Sequence, residues 1–282
     1  MPRLETQLHA RDGLTLATYL WTPPADVLKA VIVLTHGHGE YASKYAHVAE
    51  ALTAGGYAVQ AYDVRGHGRS GGPRGHVPRY EALLSDLHMV HEAAGRRFPG
   101  RPVFLYGHSL GGQITLSYAI ERRPEVAGVI VSAPWLRLTY LPPAWKLTLA
   151  RGLANLVPGF TQETGLDQAV PMTHDTALLA AYPDQHLAHA KMSARLGVDA
   201  MRQGEQLLTR AAELRQPVLV LHGGADGVFK PEVSQAFVAQ AGAPDKTFKE
   251  YPGLYHEIHN EVERAQVFAD LLAWLDRHGA AA

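Results

Sequence analysis

The chain contains no cysteine, which excludes disulfides, thiolate metal sites and a cysteine nucleophile together. It lacks an excess of either charge: 26 Lys and Arg stand against 27 Asp and Glu. No long-range field therefore favours nucleic acid or an anionic surface, and the expected partner is a small, largely uncharged molecule. No apolar run approaches the roughly 18 residues that would suggest a membrane span. Met1–Asp12 also lacks the continuous apolar stretch of a secretory signal, so cytoplasmic residence is the expectation. No internal repeat or low-complexity tract is visible. What is present is ordinary for a folded protein: 46% hydrophobic and 19% charged residues over 282 positions. That is enough for one large core carrying a modest insertion.

Short apolar runs rich in β-branched residues alternate with longer helical patterns. The runs are Ala30–Thr35, Tyr57–Tyr62, Val103–Tyr106, Gly128–Ser132, Pro217–His222 and Thr247–Tyr251. They are too continuous for half-exposed strands and suit a parallel sheet covered on both faces. Helices are expected over Lys44–Ala54, Tyr80–Arg97, Leu110–Arg122, Asp199–Leu214, Glu232–Ala241 and Glu261–Arg277. Two further runs, Glu5–Ala10 and Thr15–Trp21, meet at Asp12-Gly13, a hairpin signal. The pattern describes an α/β fold with a mostly parallel, doubly wound sheet. It breaks between Ala133 and Val198, a proline-punctuated stretch with no convincing strand. An inserted helical cap over residues 133–198 is the economical reading, with residues 1–132 and 199–282 forming the core.

Gly107-His108-Ser109-Leu110-Gly111 is a G-x-S-x-G pentapeptide set between a strand and a helix. That strand–turn–helix context is a nucleophile elbow, in which the serine hydroxyl stands clear at the end of the strand. The helix N-terminus beneath it favours developing negative charge. Ser109 is therefore the expected nucleophile. It needs a base, and the base needs an orienting carboxylate. His256 lies just past the strand Thr247–Tyr251, where a base must project, with His259 as the fallback. His278, at the end of the final helix, is expected to cap carbonyls. Asp226 follows the strand ending at His222 and is the expected acid. Asp63 precedes the serine and is expected to tie down the turn Arg65-Gly66-His67-Gly68. His36, His67, His108 and His222 are expected to support the site rather than react. One oxyanion donor should be the backbone N–H of Leu110, the other an amide of the loop His36-Gly37-His38-Gly39-Glu40.

That loop, Asp63-Val64-Arg65-Gly66-His67-Gly68-Arg69-Ser70, the pentapeptide with Gly112, and His256-Glu257-Ile258-His259-Asn260-Glu261 occur in order along the chain. Together they resemble the monoacylglycerol lipase and lysophospholipase branch of the α/β-hydrolases. The resemblance implies that His38 supplies the second oxyanion N–H. A histidine there departs from the small or apolar residue usual in that branch, so its side chain can narrow or polarise the entrance.

The insertion carries Leu141, Trp145, Leu149, Leu153, Leu156 and Phe160 mostly at helical spacing, with Lys146 and Arg151 off the stripe. One reading is a lid that transiently touches a membrane or micelle surface. The other is a helix packed on the core, which so weak a polar face favours. In either case Leu141, Trp145 and Leu149 are candidates for lining a substrate tunnel. The pairs His174/Asp175 and His186/His189 lack a third ligand at fitting spacing, so no metal is expected, nor any cofactor. The expected activity is hydrolysis of a carboxylic ester, a monoacylglycerol by the resemblance. A lysophospholipase, a short-chain carboxylesterase, a proline-type aminopeptidase and a non-catalytic ligand receptor remain as alternatives. The aminopeptidase would need an acidic cluster, for which the insertion offers Glu163, Asp167, Asp175 and Asp184.

Overall fold

Eight strands form one twisted sheet in a computed structural model that describes residues 3–165 and 169–279. They are β1 (Arg3–His9), β2 (Thr15–Trp21), β3 (Ala30–Thr35), β4 (Tyr57–Tyr62), β5 (Val103–His108), β6 (Gly128–Ser132), β9 (Val218–Gly223) and β10 (Lys246–Tyr251). Their order is β1-β2-β4-β3-β5-β6-β9-β10. β1 and β2 form the hairpin at Asp12-Gly13 and join β4 antiparallel, while every pairing from β4 to β10 is parallel. β5 runs two residues past its expected end, straight into the turn at Ser109.

Alternate residues of the parallel strands face opposite layers, as a period of two requires. Val31 and Val33 of β3 join Leu105, Val129 and Val131 on one face. They are covered there by α2 (Glu81–Arg97), α3 (Leu110–Arg122), α6 (Ala194–Thr209) and α7 (Pro231–Gln240). Ile32 and Leu34 join Phe104, Tyr106 and Ile130 on the other, under α1 (Ala46–Ala54) and α8 (Arg264–Gly279). β4 lies on one side of β3 and β5 on the other, so the connections diverge at β3 and leave a crevice at the carboxyl ends of β3 and β5. Ligands of open α/β sheets bind at such a switch point. The elbow after β5 abuts β3 so closely that a Cβ on Gly111 would strike the carbonyl oxygens of Thr35 and His36.

Between β6 and β9 the chain makes α4 (Ala144–Leu156) and α5 (Thr176–Ala181). It also makes a short antiparallel ribbon, β7 (Thr161–Glu163) with β8 (Lys191–Ser193), in a stretch expected to hold no strand. Three-residue strands are too short for alternation to register in a sequence. α6 begins five residues before the expected Asp199, because the Ser193 hydroxyl caps it by accepting from the Leu196 amide at 3.1 Å. The segment lies over the carboxyl edge of the sheet: Met172 accepts from the Glu257 amide, and His189 donates its amide to Gly39.

The apolar stripe of α4 does not pack on the core. Leu141 is 56% exposed, Trp145 65% and Leu149 54%, and Tyr140, Leu156, Val157 and Phe160 extend the same open patch. α4 instead rests on α6 through its small side, where Ala154 is buried. Identical spacing fits a helix turned either way, and only its neighbours decide which. No described helix is long and apolar enough to cross a membrane.

Candidate active site

Ser109 occupies the turn between β5 and α3 with φ 56° and ψ −120°. A non-glycine residue held there stores backbone strain that the surrounding structure must impose. The restraints are explicit: the Ser109 amide donates to the Ser132 carbonyl at 2.9 Å, and its carbonyl accepts from the Trp135 and Gln113 amides at 3.1 Å each. The loop after β3 closes over the serine, and a Cβ on Gly37 would lie 3.1 Å from the Ser109 Cβ. Among the described residues, neither the Leu110 amide nor the His38 amide donates to another group of the chain.

Asp226 and His256 meet as the chain order requires. His256 Nδ1 lies 2.8 Å from Asp226 Oδ2, and both residues are buried. The same oxygen takes His222 Nε2 at 2.9 Å, while Oδ1 accepts the Val228 and Phe229 amides at 2.7 and 3.1 Å. Burial works against the Asp226 charge, but the facing His256 and the two imidazole hydrogen bonds outweigh it and hold its carboxyl well below the usual range. Burial likewise opposes a charge on His256, yet the carboxylate opposite offsets this and its pKa stands above the ordinary histidine value. The His256 ring packs against His108 at 4.7 Å and Phe229 at 5.2 Å between centroids. Its hydrogen bond among the described residues runs to Asp226 and not to Ser109, and such contacts tighten when substrate binds.

The other candidates fall elsewhere. His259 is buried and stacked on Tyr45 at 4.8 Å, away from Asp226. Asp63 is fully buried and accepts from the Ala42 and Arg69 amides and from Tyr19 Oη, which makes it the anchor of its turn. His36 bridges the Gly37 carbonyl and the Val64 amide, joining the loop after β3 to the turn after β4. His278 Nδ1 reaches the Trp274 carbonyl at 2.8 Å, the capping contact expected of it. Leu141 borders a groove of about 350 Å³ with Trp135, Leu136, Leu138, Leu147 and Arg151. Trp135, at the edge of this groove, packs on Phe229, and Phe229 packs on His256. Trp145 and Leu149 lie outside the groove. A cavity of about 390 Å³ near Lys29, Tyr57 and Asp276 sits at the amino ends of β3 and β4, remote from Ser109.

Lys44 carries a role that sequence reasoning missed. Its Nζ lies 2.7 Å from Glu40 Oε1 and 2.8 Å from Glu257 Oε1, with all three side chains largely buried. Glu40 Oε2 accepts from the Gly37 amide at 2.8 Å and from Tyr45 Oη at 2.7 Å. Glu257 takes Asn260 on its other oxygen. One ammonium thus ties the loop after β3 to the loop that carries His256. Burial disfavours its charge, but the two carboxylates more than compensate and hold Lys44 above the ordinary lysine value.

A family model described as "Serine aminopeptidase, S33" matches residues 26–263. This chain belongs to that family. The monoacylglycerol lipase of Mycolicibacterium smegmatis is 34% identical over 98% of this chain and 98% of its own length. An uncharacterized abhydrolase domain-containing protein of Dictyostelium discoideum is 32% identical over 96% of this chain, which spans 28% of that protein. Among solved structures, a soluble variant of the monoglyceride lipase of Saccharomyces cerevisiae, bound to a substrate analogue, superposes with a TM-score of 0.85. It is 28% identical, over 98% of this chain and 94% of that one. The fold is that of the α/β-hydrolases.

Removing Lys44 leaves two buried carboxylates unpaired. Lys44→Met should therefore destabilise the protein by about 3–5 kcal/mol, as loss of one partner in a buried ion pair does. Urea unfolding measures this, and a loss below about 1 kcal/mol would mean that the junction is dispensable.

Proposed function

We propose that this protein is a serine carboxylic ester hydrolase acting on monoacylglycerols, with Ser109 as nucleophile, His256 as base and Asp226 orienting the base. The reading rests on one observation above the rest: a buried Asp226–His256 pair beside a strained serine at the carboxyl end of β5. His256 takes the Ser109 proton as the hydroxyl attacks the ester carbonyl, and the Leu110 and His38 amides receive the oxyanion. His256 then protonates the departing glycerol, and water repeats the sequence on the acyl-enzyme. The relatives named as monoacylglycerol and monoglyceride lipases, matched along nearly their whole length, support this substrate.

In this reading residues 133–198 act as a cap, with residues 1–132 and 199–282 as the core. The groove beside Trp135 takes the acyl chain, and its volume falls within the roughly 300–1,000 Å³ usual for small-ligand sites. The open stripe around Trp145 and Leu149 docks transiently on lipid surfaces. An aminopeptidase needs a free acidic group facing the site. Asp175 is taken by Arg264 and the Leu178 amide, Asp184 pairs with Arg69, and Glu163 is exposed on β7. Asp167 lies outside the described residues. The ester reading is therefore preferred. At the groove Arg137 is bound by Glu205 and Arg202 by Asp199, which leaves Arg151 as the cation a lysophospholipid phosphate would meet.

The deciding assay compares p-nitrophenyl esters of increasing chain length, 1-monoacylglycerols and lysophospholipids, using wild type and Ser109→Ala. Monoacylglycerol hydrolysis by wild type alone is expected, whereas preference for lysophospholipids or for short aryl esters would replace the substrate assignment. Because neutral His256 is the base, kcat/KM should fall as pH drops through a value above the ordinary histidine pKa of about 6.5. Asp226→Asn removes the charge that raises this pKa. The acid limb should then move to lower pH, and kcat should fall by about 10⁴. An unmoved limb would detach Asp226 from the base. For the stripe, Trp145→Ser with Leu149→Ser should weaken binding to phosphatidylcholine vesicles roughly tenfold or more. Turnover of a soluble short ester should be unchanged, and equal vesicle binding by the variant would refute the surface role.

A further inference from the structure

Three histidines from three separate segments meet beside the oxyanion loop. His38 follows β3, His67 sits in the turn after β4, and His189 lies on the returning limb of the insertion just before β8. Ring centroids are 4.6 Å apart for His67–His189, 5.2 Å for His38–His67 and 5.7 Å for His38–His189. One nitrogen from each ring lies within 4.8 Å of the other two.

Hydrogen bonding sorts the nitrogens. His67 Nδ1 faces the Arg65 carbonyl at 3.0 Å, and His189 Nε2 faces the Gly66 carbonyl at 3.0 Å. A carbonyl only accepts, so both of these nitrogens carry the proton, and the lone pairs fall on His67 Nε2 and His189 Nδ1. Backbone carbonyls fix the tautomer and orientation of metal-ligating histidines in this same way. His67 Nε2 stands 3.3 Å from His38 Nδ1. Two nitrogens sharing a tetrahedral ion at about 2.0–2.1 Å are separated by about 3.3–3.4 Å. His189 Nδ1 and His38 Nε2 are buried with no well-formed hydrogen bond among the described residues, and the Lys191 backbone lies beside both rings.

We propose that His38, His67 and His189 form a binding site for one divalent transition-metal ion, of which zinc is the reference case. His67 binds through Nε2 and His189 through Nδ1. His38 binds through Nδ1 once its proton has moved to Nε2, and the backbone of Lys191 lies beside that ring. Burial, with the neighbouring imidazoles, holds all three pKa values below the ordinary histidine value, His38 at about 3. Three imidazoles suit zinc, cobalt, nickel or copper and not magnesium or calcium. A fourth position is left for water. The ion would pin the insertion to the oxyanion loop where the His189 amide already reaches the Gly39 carbonyl at 3.0 Å. By contrast, in the group of His88, His91 and Glu92 the Tyr118 hydroxyl already holds the Nδ1 of both imidazoles. The His186/His189 pair read from sequence separates: His186 stays exposed, while His189 finds its partners on two other loops.

The test uses tag-free, EDTA-dialysed protein titrated with Zn²⁺ by calorimetry and with Co²⁺ by visible absorption. About one equivalent should bind with micromolar or tighter affinity, and Mg²⁺ should not bind. His67→Gln and His189→Gln should each weaken binding at least tenfold, while His186→Gln should not. Zn²⁺ should raise the Tm of wild type and leave that of His189→Gln unmoved. Should His67→Gln fail to fold, His189→Gln decides, because its ring is only half-buried on a loop. No binding, or stoichiometric binding that survives His189→Gln, would overturn the site and place any ion elsewhere among the sixteen histidines.

Discussion

The geometry of the site depends on one ammonium group. Lys44 lets Glu40 and Glu257, on loops distant in sequence, share the interior within 2.8 Å of a common cation. Two carboxylates against one lysine leave a negative excess, which the Gly37 amide, Tyr45 hydroxyl and Asn260 amide offset as donors. Such buried clusters add little stability over a well-packed apolar replacement. What this one contributes is position: it fixes the loop after β3 relative to the loop that carries His256.

A second constraint acts on the serine. The φ of 56° at Ser109 persists because β6, through the Ser132 carbonyl, and the segment after it, through the Trp135 amide, both grip the turn. β3 closes against Gly111 from the opposite side. Strain at Ser109 is thus borne by the parallel sheet itself, at the switch point between β3 and β5 where open α/β sheets bind their ligands. Asp226 needs no such strain. Four donors saturate its two oxygens, so the carboxylate stays ionised although it is buried.

The strands, most helices and the placement of Ser109, Asp226 and His256 at strand ends were legible because each follows from local pattern: apolar runs, a glycine-flanked turn, and chain order. His256 and Asp226 could be named without structure for that reason, and they come within one hydrogen bond of each other. Lys44 could not be, because its meaning lies in Glu257, which no periodicity links to it. His189 was opaque for the same reason, since its neighbours His38 and His67 stand on loops far earlier in the chain. The ribbon of β7 and β8 was too short to register. The stripe on α4 was read correctly as apolar and helical but not in its direction, because a helix's outward face is set by what it lacks as neighbours.

That direction matters for how a buried serine is reached. The insertion enters bound to the loop after β9, where the Thr139 amide donates to Val228 and the Lys230 amide to Arg137. It returns bound to the loops after β3, β4 and β10 through His189, Ser193, Met172 and Thr173. Between these fixed limbs α4 is held, among the described residues, by little more than the Arg195 guanidinium on the Ala154 carbonyl and its packing on α6. Local opening follows the path that breaks the fewest hydrogen bonds and exposes the least new apolar surface. α4 satisfies both conditions, since much of its apolar side is already open. α4 borders the groove beside Trp135 through Leu147 and Arg151, while the loop after β3 and the Asp226–His256 pair are held by their own hydrogen bonds. The segment between β6 and β9 is therefore held unevenly, loosely at α4 and by several hydrogen bonds along its returning limb.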